Sequence, residues 1–139
     1  MTRHQVYRQI CAILEANSLD WTQTSNDDIF LRFASAGVTI ELVDWGAQTL
    51  IQIGSNVLGA VEQPRKRVLR EVNRLNTLAH FGRWVYYEDT ATVALEYDLL
   101  GDHLQENELM TALAAIARLA DYHDDQLQRE LGGQRAFEA

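Results

Sequence analysis

Cysteine and proline are nearly absent from this sequence of 139 residues, which has one of each. The single cysteine, Cys11, excludes a disulfide within the chain and any metal site built from several cysteines. No apolar run approaches the roughly 18 residues of a membrane-spanning helix, and the polar start of the chain has no signal-peptide pattern. We therefore expect a soluble, cytoplasmic protein that does not associate with membranes.

Basic residues are also scarce, because 12 Lys and Arg stand against 20 Asp and Glu and give a formal net charge of -8. Such a chain repels a phosphate backbone on average, so nucleic-acid binding would require a local basic patch. The one cluster of this kind, Arg65 to Arg67 with Arg70, is expected to be the solvated face of a helix. We predict no nucleic-acid partner.

The hydrophobic content of 47% predicts a folded chain, and the length fits one domain. Apolar residues at helical spacing predict three helices, over residues 3–16, from Pro64 to Phe81, and from Gln105 to Leu131. Thr2 and Gln5 have the spacing of a capping box at the start of the first helix. We place the domain at residues 1–133 and expect a flexible C-terminal tail at residues 134–139.

Alternating apolar and polar residues predict strands between these helices. The strands are expected at residues 21–25, 29–33, 38–42, 49–57, 84–87 and 92–97, with Gly54 as a possible bulge. The element order α-β-β-β-(β)-α-β-β-α predicts an α+β fold with an antiparallel sheet of about five or six strands. The predicted core contains Ile29, Leu31, Phe33, Val38, Ile40, Leu42, Val72, Leu75, Val93 and Leu95.

The second half of the chain has a recognisable pattern across residues 5–133. An Asn-rich helix precedes a hairpin whose second strand carries Val93, Leu95 and Tyr97, and the terminal helix contains Ala120-Asp121 followed by Asp124-Asp125. This pattern resembles the YbjN family of small bacterial proteins, whose fold is similar to that of the type III secretion chaperones. The resemblance implies a chaperone-like or regulatory role, often as a dimer, in a family linked to sensory transduction.

Motifs for catalysis or metal binding are lacking. Of the histidines only His123 lies near a carboxylate cluster, formed by Asp121, Asp124 and Asp125. On a helix Asp121 and Asp125 project together while His123 points about a right angle away, which disfavours joint coordination. We predict a non-enzymatic protein without a cofactor or metal; the alternative is a small-ligand binder or an enzyme of unknown reaction.

Two asparagines three residues apart, Asn73 and Asn76, lie on the second helix off its apolar row. One hypothesis is that one of them ties the neighbouring hairpin through a side-chain-to-backbone hydrogen bond while the other is solvated. The other hypothesis is an amide pair that contacts the extended backbone of a partner.

The last helix is apolar over a wider face than one contact with a sheet would cover. Leu109, Leu113 and Ile116 belong to one seam, but Leu119 and Tyr122 lie outside it. This excess predicts a homodimer and a client or regulatory protein as partner, bound through the sheet edge and the last helix; alternatively, the first helix covers it. Trp84 is expected either to pack locally or to serve an interface. The candidate partner-binding residues are Asn73, Asn76, Trp84, Leu119 and Tyr122, with the carboxylates of Asp121, Asp124 and Asp125 at the rim.

Overall fold

The computed structural model describes residues 1–25 and 27–137, and three helices and seven strands make up this part of the chain. A 3-10 turn at Glu88–Thr90 joins β5 to β6. The elements are α1 (Arg3–Ala16), β1 (Thr22–Gln23), β2 (Ile29–Phe33), β3 (Ala36–Trp45), β4 (Gln48–Gly59), α2 (Arg65–Leu78), β5 (Arg83–Tyr87), β6 (Thr92–Leu100), α3 (Glu106–Leu131) and β7 (Gln134–Arg135). The predicted α+β fold is confirmed.

Local sequence determines where the helices begin and end. The capping box of α1 forms, since the Gln5 backbone N–H donates to Thr2 Oγ1 at 3.2 Å and the Thr2 N–H donates to Gln5 Oε1 at 2.8 Å. Helix α2 follows Pro64 but ends at Leu78, earlier than the predicted Phe81, because the backbone is already extended at Ala79. Gly82, with φ +82°, then turns the chain into β5.

The sheet is antiparallel with the strand order β1-β2-β3-β4-β6-β5, and β7 pairs with the end of β4. Its apolar face packs against the helices, with α3 lying across β3, β4 and β6. All of the predicted core residues are buried except Phe33, which is partly exposed. The opposite face of these central strands is polar.

The predicted position of the bulge in β4 is wrong. The bulge in β4 is not at Gly54, which pairs regularly with Thr39 and Glu96; the register shifts between Asn56 and Leu58. Within the predicted tail, Gln134 and Arg135 form β7 and pair with the end of β4, while the domain bounds 1–133 and the flexibility of the tail stay predictions. The pairing of β3 with β4 stops at Gly54, which leaves the last residues of β4 available to pair with β7. Residues 138 and 139 of the predicted tail lie outside the described residues.

None of the helices in residues 1–25 and 27–137 is both long and apolar enough to cross a membrane.

Candidate functional site

Helix α3 has two apolar faces. The inner face packs on the sheet through Leu109, Leu113 and Ile116, all of which are buried. On the outer face Ala114 is exposed, Leu119 is half-buried, and Tyr122 is 77% exposed. Helix α1 does not cover this outer face within the described chain, because its buried residues Val6, Ile10 and Leu14 belong to the main core.

The outer face of α3 forms the floor of an apolar groove, which we call the α3 groove. It consists of two adjoining open depressions of about 690 Å³ and about 360 Å³ that share Ala114 and Arg118. The larger is lined by Phe81, Asn107, Met110, Thr111, Ala114, Ala115, Arg118 and Leu119, and the smaller by Phe33, Ala34, Ala114, Ala117, Arg118 and Asp121. The small side chains along the helix let another chain approach its backbone, while Phe33 and Phe81 form the walls.

Arg118 is the charged residue that both depressions share. Its side chain is exposed, and it forms no ion pair with any residue in the described part of the chain. An arginine on an apolar surface can cover that surface with its aliphatic stem and offer its guanidinium to a carboxylate. The groove therefore combines apolar contact area with the positive charge of Arg118 and, in the smaller depression, the carboxylate of Asp121.

A polar contact attaches the turn between β2 and β3 to α3 and so positions Phe33. The Ser35 N–H donates to Asp121 Oδ1 at 3.3 Å, and the Ser35 hydroxyl lies within hydrogen-bonding distance of both the Asp121 and the Asp124 carboxylates. Asp124 is only 3% exposed, so its predicted position at the rim of a binding surface is wrong. The Ser35 hydroxyl and the Arg135 guanidinium both contact this carboxylate, and these contacts compensate for its burial.

The amide of Asn76 makes the predicted tie to the neighbouring hairpin. Its Nδ2 donates to the Trp84 carbonyl at 2.9 Å, and its Oδ1 accepts from the Trp84 N–H at 2.7 Å. Asn73 is exposed to solvent. The predicted side-chain-to-backbone tie is therefore confirmed for Asn76, while a partner contact of Asn73 stays a prediction.

Of the five candidate partner-binding residues, only Leu119 lines the α3 groove. Asn76 bonds to the backbone of Trp84, and the rings of Trp84 and Tyr122 both contact His123, so these three lie together outside the groove. Asn73 lies on α2. Trp84 is 4% exposed and packs edge-on against His123, with 5.5 Å between the ring centroids, so it has little surface for a partner. Sequence analysis did not identify Phe33, Phe81 and Arg118 as candidate site residues. They are distant from one another in the sequence, and the only sequence signal for this groove was the excess of apolar residues on α3.

A polar layer lies between α2 and α3 beside Trp84. Glu71 is buried and pairs with Arg74 at 2.5 Å, and the hydrogen bond from Arg74 holds the pKa of Glu71 below its usual value although burial opposes this effect. Burial, together with Arg74, lowers the pKa of His123. His123 contacts the rings of Trp84 and Tyr122, whereas Asp121 and Asp124 contact Ser35. The imidazole of His123 and the two carboxylates therefore do not converge on one point.

The sequence matches one family model across residues 3–139, described as T3SS (YopN, CesT) and YbjN peptide-binding chaperone 1. The chain belongs to this peptide-binding chaperone family. The family resemblance inferred from the second half of the chain is thus confirmed. Among the curated proteins, none matches this sequence.

Solved structures of low sequence identity share the fold of this family member. The ExsC-ExsE complex matches with 20% identity and a TM-score of 0.66 over 89% of this chain and 94% of the other. The HopA1-SchA chaperone-effector complex matches with 7% identity and a TM-score of 0.64 over 90% and 98%. YbjN from E. coli matches with 10% identity and a TM-score of 0.60 over 92% and 96%. The type III secretion chaperone-like fold is therefore confirmed.

The two edges of the sheet differ in how open they are. At the β5 edge, Asn76 occupies both backbone groups of Trp84, so a strand added there would have to displace this side chain. At the other edge, β1 pairs only with Ile29 and Phe30 of β2. The next residues of β2, up to Phe33, lead directly to the wall of the α3 groove.

Proposed function

We propose that this protein binds an apolar peptide segment of a client protein in the α3 groove and acts as a non-enzymatic, chaperone-like or regulatory module. The observation that carries the proposal is the second apolar face of α3, open to solvent between Phe33 and Phe81. Membership of a peptide-binding chaperone family supports the same class of ligand. We also propose that the protein works in the cytoplasm.

The chemistry of the groove describes the segment that would fit it. Apolar side chains of the client would pack on Met110 and Leu119, and the alanines of α3 would allow close approach of its backbone. An acidic residue in the segment would pair with Arg118. The β1–β2 edge of the sheet lies beside the same surface, and the addition of a client strand to this edge would be a common mode of peptide recognition.

Peptide selection with a matched pair of variants tests this proposal. Peptides selected from a random 12-residue library on the immobilised protein would be labelled and measured by fluorescence anisotropy. Ala114→Glu places a charge in the floor of the groove, and Ala12→Glu makes the same change at an exposed position of α1. We expect at least a tenfold loss of affinity for Ala114→Glu and no loss for Ala12→Glu.

Arg118→Gln provides a second readout. Selected peptides should be enriched in Asp or Glu beside apolar residues, and Arg118→Gln should weaken those peptides about two- to fivefold, with less effect at high salt. Selected peptides that bind Ala114→Glu as well as they bind the wild-type protein would contradict the proposed site.

We further propose that the protein is a homodimer, since the apolar surface of α3 extends beyond the α3 groove to Tyr122, which is 77% exposed. Sedimentation equilibrium at micromolar concentration should give twice the chain mass of 15.8 kDa. A mass that stays at 15.8 kDa as the concentration rises tenfold would contradict the dimer. Ala114→Glu separates the two uses of the groove: it leaves the dimer intact if the groove holds a client and dissociates it if a second copy fills the groove.

A further inference from the structure

The face of the sheet opposite α3 contains a polar cavity of about 390 Å³, which we call the sheet cavity. Side chains of four neighbouring strands, β3, β4, β6 and β5, line it. They are Thr39, Glu41, Gln52, Ile53, Gly54, Ser55, Asn56, Arg83, Tyr87, Ala94, Glu96 and Asp98. Alternation along the strands turns most of these residues away from the helices, so the cavity is independent of the α3 groove.

The residues of the sheet cavity form two rows across the strands. In the first row Thr39, Gly54, Glu96 and Arg83 stand opposite one another, and in the second row Glu41, Gln52 and Asp98 do so. Because neighbouring strands are about 4.8 Å apart, Glu41 and Asp98 stand about 10 Å apart across Gln52. A group bound between them would be within reach of both carboxylates.

The charges of the sheet cavity do not balance. Arg83 is its one cationic side chain, and it bridges Glu96 and Asp98 with contacts of 3.2 Å to each. The Tyr87 hydroxyl donates to Glu96 as well. Glu41 forms no ion pair with the residues that the structure describes, and the buried Oδ1 of Asp98 accepts no hydrogen bond from them. The cavity therefore keeps a negative potential and unused acceptors.

Gly54 lies at the floor of the sheet cavity, in the interior of β4. Glycine in the interior of a strand weakens it, and such a glycine marks a bulge, a tight bend, or a place where a ligand or another backbone approaches closely. Its backbone does not require glycine, since its φ is not positive and a Cβ atom would meet nothing nearer than Leu95 O at 3.6 Å. A side chain at this position would instead extend into the cavity beside Thr39 and Glu96, which stand opposite it. The glycine thus keeps the floor of the cavity open.

We propose that the sheet cavity binds a guanidinium or ammonium group carried on an aliphatic stem. The cation lies between Glu41 and the Glu96–Asp98 pair, and the stem lies over Gly54. The side-chain carbonyls of Gln52 and Asn56 supply further acceptors. An arginine or lysine side chain of another protein and a free polyamine share this chemistry.

Calorimetric titration and amide chemical shifts test the proposal with defined probes. The probes are N-acetyl-arginine methylamide, its neutral citrulline analogue, and spermidine, all at low ionic strength. We expect saturable binding of the cations with shifts at Gly54 and Glu96, and no binding of the citrulline compound. Tighter binding of the arginine compound would identify a protein side chain as the source, and tighter binding of spermidine a free polyamine.

Three variants locate the binding. Gly54→Val should reduce affinity at least tenfold, with a thermal melt to verify that the variant folds. Glu41→Gln should weaken the cations about two- to fivefold. Asp44→Asn removes the same charge from the same strand outside the sheet cavity and should have no effect.

The affinities of Glu41→Gln and Asp44→Asn for the cationic probes test the proposal even if Gly54→Val fails to fold. Equal weakening by both would indicate diffuse attraction to a chain of net charge -8 and would overturn the proposal. The absence of saturable binding by every cation would overturn it as well.

Discussion

Replacing Asn76 by alanine should destabilise the protein by removing the link between α2 and β5. The substitution removes two hydrogen bonds to the backbone of Trp84, of 2.7 Å and 2.9 Å, each with a net contribution of about 0.5–1.5 kcal/mol. Alanine returns about 0.5 kcal/mol through its higher helix propensity. The free energy of unfolding should therefore fall by about 0.5–2.5 kcal/mol.

Asn73→Ala is the matched control, because it makes the same change three residues earlier on the same helix at an exposed position. Helix propensity cancels between the two variants, so Asn76→Ala should be less stable than Asn73→Ala by about 1–3 kcal/mol. Urea unfolding measures this difference, and at about 4 °C per kcal/mol thermal melts would separate the variants by roughly 4–12 °C. Hydrogen exchange at the Trp84 amide should also become faster in Asn76→Ala alone. Equal stabilities, within about 0.5 kcal/mol, would refute the structural role assigned to Asn76.

Three further predictions concern the same region between α2, β5 and α3. Trp84→Ala should cost about 3–5 kcal/mol in chemical unfolding, since the side chain is 4% exposed; a cost of a few tenths would place it outside the core. Because the hydrogen bond from Arg74 lowers the pKa of Glu71, the stabilisation by Glu71 should be present above its usual pKa of about 4.3 and be lost as the pH falls through its lower folded value. The stability gap between wild type and Glu71→Gln should therefore narrow in urea titrations from about pH 6 to about pH 3, and a constant gap would contradict the shift. Burial lowers the pKa of His123, so the folded protein binds a proton at this residue less readily than the unfolded chain does. The free energy of unfolding of the wild type should therefore fall relative to that of His123→Gln as the pH drops below about 6.5. Parallel curves of stability against pH would contradict this prediction.

Local patterns were sufficient to predict every helix and strand except β7, and most of the core. The capping box of Thr2 and Gln5 and the position of Pro64 act over one helical turn, and alternation in β2 and β3 needs only the neighbouring residues to specify the buried face. The hydrogen bonds that tie Asn76 to the next hairpin could also be predicted from the sequence, because the partner residue is only eight positions away. The resemblance to the chaperone family rested on the Asn-rich helix, on the hairpin strand with Val93, Leu95 and Tyr97, and on the acidic residues of the last helix, and it is confirmed by the family match.

Contacts between distant segments were decided by the tertiary structure. Ser35 meets Asp124 across 89 residues, and this contact changes a predicted rim carboxylate into a buried one. The free end of β4 likewise recruits Gln134 and Arg135, which local sequence marks only as a polar end after two glycines. Phe33 and Phe81 become walls of one groove only because β2 and the segment after α2 lie on either side of α3. Periodicity in a sequence reports which face of an element is apolar, but the neighbours of that face depend on how the sheet and helices pack together.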